Sequence, residues 1–269
     1  MDTKKKIDKK LFPDLSFFDR AIKYPYPSPN YSFSFSKGQF LKGIHHSLDD
    51  RVPILSVGSN RAPLQLHRKF TFKQDICVTP AFLFDSDISY AASLSSYGSM
   101  PATQWPSVGT KVELNVLWLT KEQLDLMHLT EAVGIAYNFV KMKPGTVKIR
   151  DFEFNGDIYG YVSISGVYSF GFKKPKRLKQ IPALNTKLEG INEETALITI
   201  MNILEPKQDN LSLWIWNIIN NKEYRLKLHK KLKLKALKPK NPNWEIVSIK
   251  TNGELIIYCL LYTSDAADD

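Results

Sequence analysis

The chain is short of cysteine, of long apolar runs, and of the motifs that mark metal or nucleophile chemistry. Two cysteines occur, Cys77 and Cys259. The second sits in an eleven-residue end, 259–269, that reads like a translated sequencing adaptor and is set aside. One cysteine then remains, which excludes an intrachain disulfide and a cysteine-based metal site. In the run Ile76-Cys77-Val78 it reads as a small buried apolar residue. No apolar stretch approaches the roughly 20 residues that span a bilayer. The first residues, Met-Asp-Thr-Lys-Lys-Lys, lack the apolar stretch of a secretory leader, so a cytoplasmic location is expected. His45 and His46 are adjacent, with no third ligand at a metal-like spacing, and read as structural. No Gly-x-Ser-x-Gly elbow is present to support a serine nucleophile. Neither a metal nor an organic cofactor is expected.

What is present is an ordinary globular composition with an uneven positive charge. The formal net charge is +10, and it rises to +13 once the three aspartates of the end segment are set aside. Residues 222–240 hold nine lysines and arginines against Glu223 alone, and residues 1–10 hold five lysines against Asp2 and Asp8. A basic helix of that kind serves nucleic acid, an anionic membrane, or nothing beyond solvation. The segment lacks the interleaved aromatics that stack on bases, so a solvated face is the expectation and nucleic acid is not an expected partner.

The organisation is expected to be α+β: an N-terminal extended arm over 1–50, a mixed or antiparallel β core over 51–172, and a helical region over 173–258. The prolines of Tyr24-Pro25-Tyr26-Pro27-Ser28-Pro29 force an extended path. Val52 to Val57 has strand length and ends at Gly58-Ser59-Asn60. A helix follows through Phe70, with Asn60 as its expected cap and Pro63 in its first turn. Ile76–Leu83 and Asp87–Ala91 read as two strands. Lys111 to Leu119 alternates, placing Val112, Leu114, Val116 and Trp118 on one face. Thr120 and Gln123 form a capping box at the head of a helix. On that helix Leu124, Met127, His128 and Glu131 share a face. Strands are expected over 137–142, 147–152 and 158–164, with Lys143-Pro144-Gly145 as a turn. Helices are expected over 196–204, 211–219 and 224–237.

Three short segments in fixed order bear on chemistry: Val57-Gly58-Ser59-Asn60, Tyr97 to Thr103, and Met127-His128-Leu129-Thr130-Glu131 leading to Tyr137. A small-residue loop at a helix start offers backbone N–H groups to an anion. A single carboxylate on an apolar helix is a candidate acid/base, with partial desolvation expected. Together with Pro106, Gly109, Val112 and the strand Val116-Leu117-Trp118, the set resembles the gamma-glutamylcyclotransferase-like family over about residues 54–163. The resemblance implies a small barrel-like β core. It implies intramolecular aminolysis of a γ-glutamyl amide, releasing 5-oxoproline and an amine. Glu131 falls at the family's catalytic glutamate, and Val57, Gly58, Ser59, Asn60, Gly98, Thr103 and Tyr137 at its substrate-binding positions. Two positions depart from the family pattern. Val57 stands where the loop usually carries tyrosine, and Ala132 where glycine commonly follows the glutamate. His128, one turn before Glu131, is within reach of pairing with it. The alternative is a small-molecule binding or regulatory module on the same fold without chemistry.

Overall fold

The computed structural model describes residues 8–71, 73–171 and 174–247. The acidic end 259–269, and residues 1–7 with their lysines, lie outside the described residues.

The N-terminal stretch carries structure of its own. Helix α1 (Phe17–Ile22) is capped by the Ser16 side chain, which accepts from Asp19 N. The proline run then leads to a hairpin of β1 (Phe33–Ser36) and β2 (Gln39–Lys42). Because β1 pairs with the strand that contains Ile76, the hairpin joins the main sheet. His45 and His46 each direct Nε2 at a backbone carbonyl, of Lys42 and Phe35 respectively.

Strand β3 (Val52–Ser56) is followed by a single 3-10 turn, Ser59–Arg61, and by helix α2 (Pro63–Phe70). The α2 cap is Ala62, with no side-chain hydrogen bond, and Pro63 occupies the first turn. Asn60 therefore does not cap the helix. It sits inside the tight turn before it, where its amide is free to reach elsewhere.

Two long strands form the spine. β4 (Ile76–Tyr90) and β5 (Ala102–Leu119) pair from Cys77 opposite Trp118 to Tyr90 opposite Ala102. The two short strands expected around residue 85 are one strand with a bulge between Phe84 and Ser86. Asp85 takes a positive φ of 54° there, and its carboxylate accepts from Gly109 N at 2.7 Å. A local bulge lets both halves remain in one ladder, so the polar residues at 85–87 do not end the strand.

Helix α3 (Lys121–Thr130) starts at the Thr120–Gln123 capping box and ends with Glu131 as its C-cap. β6 (Tyr137–Met142), β7 (Val147–Ile149) and β8 (Tyr159–Ser163) follow. The sheet runs from Gly190–Ile191 and Arg177–Leu178 through β4, β5, β3, β8 and β6 to Trp244–Ile246. Among the described strand pairs of this sheet, β3–β8 and the edge pair Arg177–Leu178 with Gly190–Ile191 are parallel and the others antiparallel. The ends do not meet, so the sheet is open and not a closed barrel. Three helices, α4 (Glu193–Leu204), α5 (Leu211–Asn220) and α6 (Lys222–Leu234), precede the strand Trp244–Ile246.

Both faces of the spine are covered. Val112, Leu114, Val116 and Trp118 pack in one cluster with Leu197, Trp214, Ile215, Ile218, Leu228 and Leu232 of the C-terminal helices. Leu117 and Leu119 turn the other way and pack with Leu66, Phe70, Met127 and the aromatics of β1. Burial of this kind stabilises by roughly 1.5–3 kcal/mol for each large apolar side chain. It also explains why the end of β5 is buried continuously rather than at every second residue. Among the described residues no helix is long and apolar enough to cross a membrane.

Candidate active site

The turn after β3, the end of α3 and the start of β6 meet at a cavity of about 350 Å³. Helix α6 supplies a further part of its wall through Lys222, Arg225, Leu226 and His229, which recur at helical spacing on one face. Part of the basic segment therefore faces a cavity rather than open solvent.

Glu131 lies in this wall, its side chain 14% exposed. Its Oε1 accepts from Asn60 Nδ2 at 2.9 Å and is ion-paired with Lys69 Nζ, itself 10% exposed. Both donors converge on the same oxygen, and Oε2 has no hydrogen-bond partner among the described residues. Lys69 comes from the last turn of α2 and Asn60 from the turn before it, so one short segment holds the carboxylate from two sides. The expected enclosure of Glu131 is present, whereas its pairing with a lysine had no signal in the sequence motifs.

Three tyrosines sit close enough to feel this charge. Burial pushes the phenols of Tyr97, Tyr137 and Tyr161 upward, and the negative charge of Glu131 adds to the effect in each. They remain neutral hydroxyls at ordinary pH, available as donors. Ser59 of the loop and Ser99 act the other way on Tyr97, favouring the charged form. His128 does not pair with Glu131. Its Nδ1 lies 2.9 Å from Tyr161 Oη, and its ring packs edge-on to Phe139. Burial pushes its pKa down, which fits a neutral ring that orients Tyr161.

Val57, Gly58, Ser59, Asn60, Glu131 and Tyr137 all line the cavity. Gly98 and Thr103 do not. Gly98, at φ +85°, faces α5, and a Cβ there would stand 2.9 Å from Ile215 Cγ2. Thr103 is buried in β5, where its hydroxyl accepts from Ser163 N at 3.1 Å. Both positions hold the wall in place from behind. Gly58 is required for a reason other than ligand approach: a Cβ would fall 2.2 Å from the Tyr24 hydroxyl. Tyr24 thus fills the space behind the loop, arriving from the N-terminal arm, and accepts from Ala102 N at 2.8 Å.

The chain is similar to a structure described as a gamma-glutamyl cyclotransferase, at 16% identity and a TM-score of 0.35, over 78% of this chain and 99% of that one. A solution structure from Arabidopsis thaliana matches at 17% identity and a TM-score of 0.36, over 61% of this chain and 99% of that one. A crystal structure of an uncharacterized protein from Homo sapiens matches at 16% and 0.33, over 79% and 99%. No family model and no curated protein matches the chain.

The chemistry the cavity offers follows from its unmatched groups. Asn60 Oδ1 and Gln65 Oε1 are buried acceptors without a partner among the described residues, and both residues line the wall. With Glu131 Oε2 they form a set of acceptors suited to an ammonium. The amides of Gly58 and Ser59 donate to no described group, which suits a carboxylate. Lys69, Lys222 and Arg225 face one lining carboxylate, Glu131, so the cavity is electropositive. Arg225 also donates to the last carbonyls of α5, which fixes its position. His229 Nε2 lies 2.8 Å from Ser165 Oγ, and burial lowers its pKa. Sequence reasoning missed Lys69, Tyr161 and the α6 face because each reaches the site only through tertiary packing. Among the described residues no cluster of three His, Cys, Asp or Glu residues could hold a metal ion.

Proposed function

We propose that this protein catalyses the intramolecular aminolysis of a γ-glutamyl or related amide, with Glu131 as the acid/base. The observation that carries this reading is the disposition of Glu131: one oxygen fixed by Asn60 and Lys69, the other free in an enclosed cavity. A carboxylate so held accepts a proton without having to reorient.

The substrate's α-ammonium is met by Glu131 Oε2 and by the unmatched acceptors of Asn60 and Gln65. Its α-carboxylate is met by the amides of the Gly58 loop, within a positive cavity. Holding both ends folds the γ-carbonyl back toward the amine, a proximity effect of the kind that removes a large part of such a barrier. Glu131 takes a proton from the α-ammonium. The freed nitrogen attacks the γ-carbonyl carbon. The C–N bond to the leaving amine breaks as the same carboxyl group returns its proton to the departing nitrogen, and the second proton that the attacking nitrogen sheds on becoming the lactam N–H passes through the regenerated carboxylate to the released amine, which leaves as an ammonium. The products are 5-oxoproline and the amine. Neutral phenols of Tyr97 and Tyr137 stand ready as donors to developing oxyanion charge. The fold needs no organic cofactor for these steps, and a cytoplasmic location fits such a substrate.

A second reading, a small-molecule binding module without turnover, is favoured by one observation. Lys69 already partners the carboxylate that chemistry needs. Incubation with γ-glutamyl amino acids and γ-glutamyl amines, scored for 5-oxoproline by mass spectrometry, separates the two. Wild type forms product, and Glu131→Gln keeps the fold but loses turnover by at least about 10²-fold. Full activity in Glu131→Gln would remove the acid/base assignment. Ligand-induced thermal stabilisation without product in wild type would select the second reading.

A further inference from the structure

The turn that presents Asn60 to Glu131 presents its next residue to a different space. Arg61 lines a second cavity, about 970 Å³, bounded by the N-terminal arm on one side and by β4 and β5 on the other. That size stands at the upper end of small-molecule sites, roughly 300–1,000 Å³. Pro25, Pro27, Pro80, Phe82 and Pro182 give it rigid apolar walls.

Arg61 is 8% exposed. Its Nε donates to Asn115 Oδ1 at 3.0 Å, and Ser28 Oγ lies 2.8 Å from its carbonyl and 3.1 Å from the same Asn115 oxygen. This network locks the side chain. Its two terminal nitrogens have no hydrogen-bond partner among the described residues, and no carboxylate stands within ion-pair reach. Asp14, Glu113 and Glu194 line the same cavity, and the exposed Glu113 acts on Arg61 only through the field. Burial lowers the Arg61 pKa to about 10, so the guanidinium stays charged at neutral pH. A buried, unpaired and oriented guanidinium is costly in isolation, and its free edge is a fork for an oxyanion.

We infer that this cavity is a second ligand site, which takes a small organic anion whose carboxylate or phosphate pairs with Arg61 while its apolar body lies against the proline walls. The site does not depend on Glu131 or on the reaction proposed above.

Calorimetric titration of the full chain with benzoate and with inorganic phosphate, at one fixed salt concentration, tests it. Wild type binds at least one probe saturably at a single site. Arg61→Gln weakens that binding by about tenfold or more. Glu113→Gln, a change at an exposed position, tightens it roughly two- to fivefold by removing a competing negative charge. Glu131→Gln leaves it unchanged, which separates this cavity from the other. Absence of saturable binding of both probes to wild type overturns the inference. So does a folded Arg61→Gln with wild-type affinity, or loss of binding in Glu131→Gln. Should Arg61→Gln not fold, Glu113→Gln decides alone, and unchanged affinity there overturns the inference.

Discussion

Replacing Gly58 by alanine puts the loop against a side chain that has nowhere to go. The added Cβ would stand 2.2 Å from Tyr24 Oη, 3.3 Å from Tyr24 Cζ and 3.2 Å from Ala102 Cβ. Tyr24 is 3% exposed, its hydroxyl is tied to Ala102 N, and its ring packs edge-on to Tyr26 and at a tilt to Tyr97. Swinging it away would break all three. Overpacking at such a position costs about 1–3 kcal/mol. Tyr24→Phe removes the closest atom but leaves the buried Ala102 amide without its acceptor, at about 1–3 kcal/mol. The two changes share one clash, so they are not additive: the double variant is expected to be about 1–2 kcal/mol more stable than the sum of the single losses. Urea unfolding of the four proteins measures this. Thermal unfolding gives a parallel reading at roughly 2–4 °C per kcal/mol for a chain near this size. Additivity to within about 0.5 kcal/mol would refute the account, because it would mean that Tyr24 does not press on Gly58.

Two further outcomes follow from the buried ionisable groups. Lys69→Met removes one partner of an ion pair that is neither exposed nor fully enclosed, and Asn60 still serves Glu131. The loss of stability should fall at about 1–3 kcal/mol, between the values for exposed and for buried pairs, in denaturant titration. An unchanged midpoint would show that the pair carries no stability. Stability should also narrow at both ends of the pH range. Burial lowers the pKa of His67, His128 and His229 below 6.5, so the unfolded chain binds protons first and stability falls as the pH drops through and below 6.5. Burial raises Tyr24, Tyr97, Tyr137 and Tyr161 above 10, so the unfolded chain loses protons first and stability falls as the pH rises beyond 10. Melting temperatures flat across either limb would contradict the burial of the corresponding groups.

Much of the local structure is legible without coordinates because it rests on local causes. The capping box at Thr120, Pro63 in the first turn of α2 and the strand Tyr137–Met142 all appear where their residues place them. The C-terminal helices also follow from their apolar spacing, although asparagines at 192, 210 and 221 start each a few residues earlier or hold its head. Misplacements occur where a long-range partner overrides a local signal. The polar stretch at Asp85 resembles a strand break until Gly109 N across the ladder donates to the Asp85 carboxylate at the bulge. Asn60 resembles a helix cap until Glu131, 71 residues away, takes its amide.

The candidate site divides along the same line. The residues of the Gly58 loop, Glu131 and Tyr137 were visible as types in order, since a small-residue turn and a lone carboxylate are patterns of sequence. Their surroundings were not. Lys69 reaches Glu131 only because α2 packs beside α3, and the α6 face reaches the cavity only because α5 turns the chain back over the sheet. Gly98 and Thr103 share the motif but are drawn behind the wall by α5 and β8. Sequence alone therefore determined the elements and the candidate carboxylate, which depend on propensities and spacing within a few turns of chain. Tertiary structure decided which charge sits beside that carboxylate, which of its oxygens lacks a partner among the described residues, and that a second cavity is lined by the buried Arg61, because these depend on packing between segments far apart in the chain.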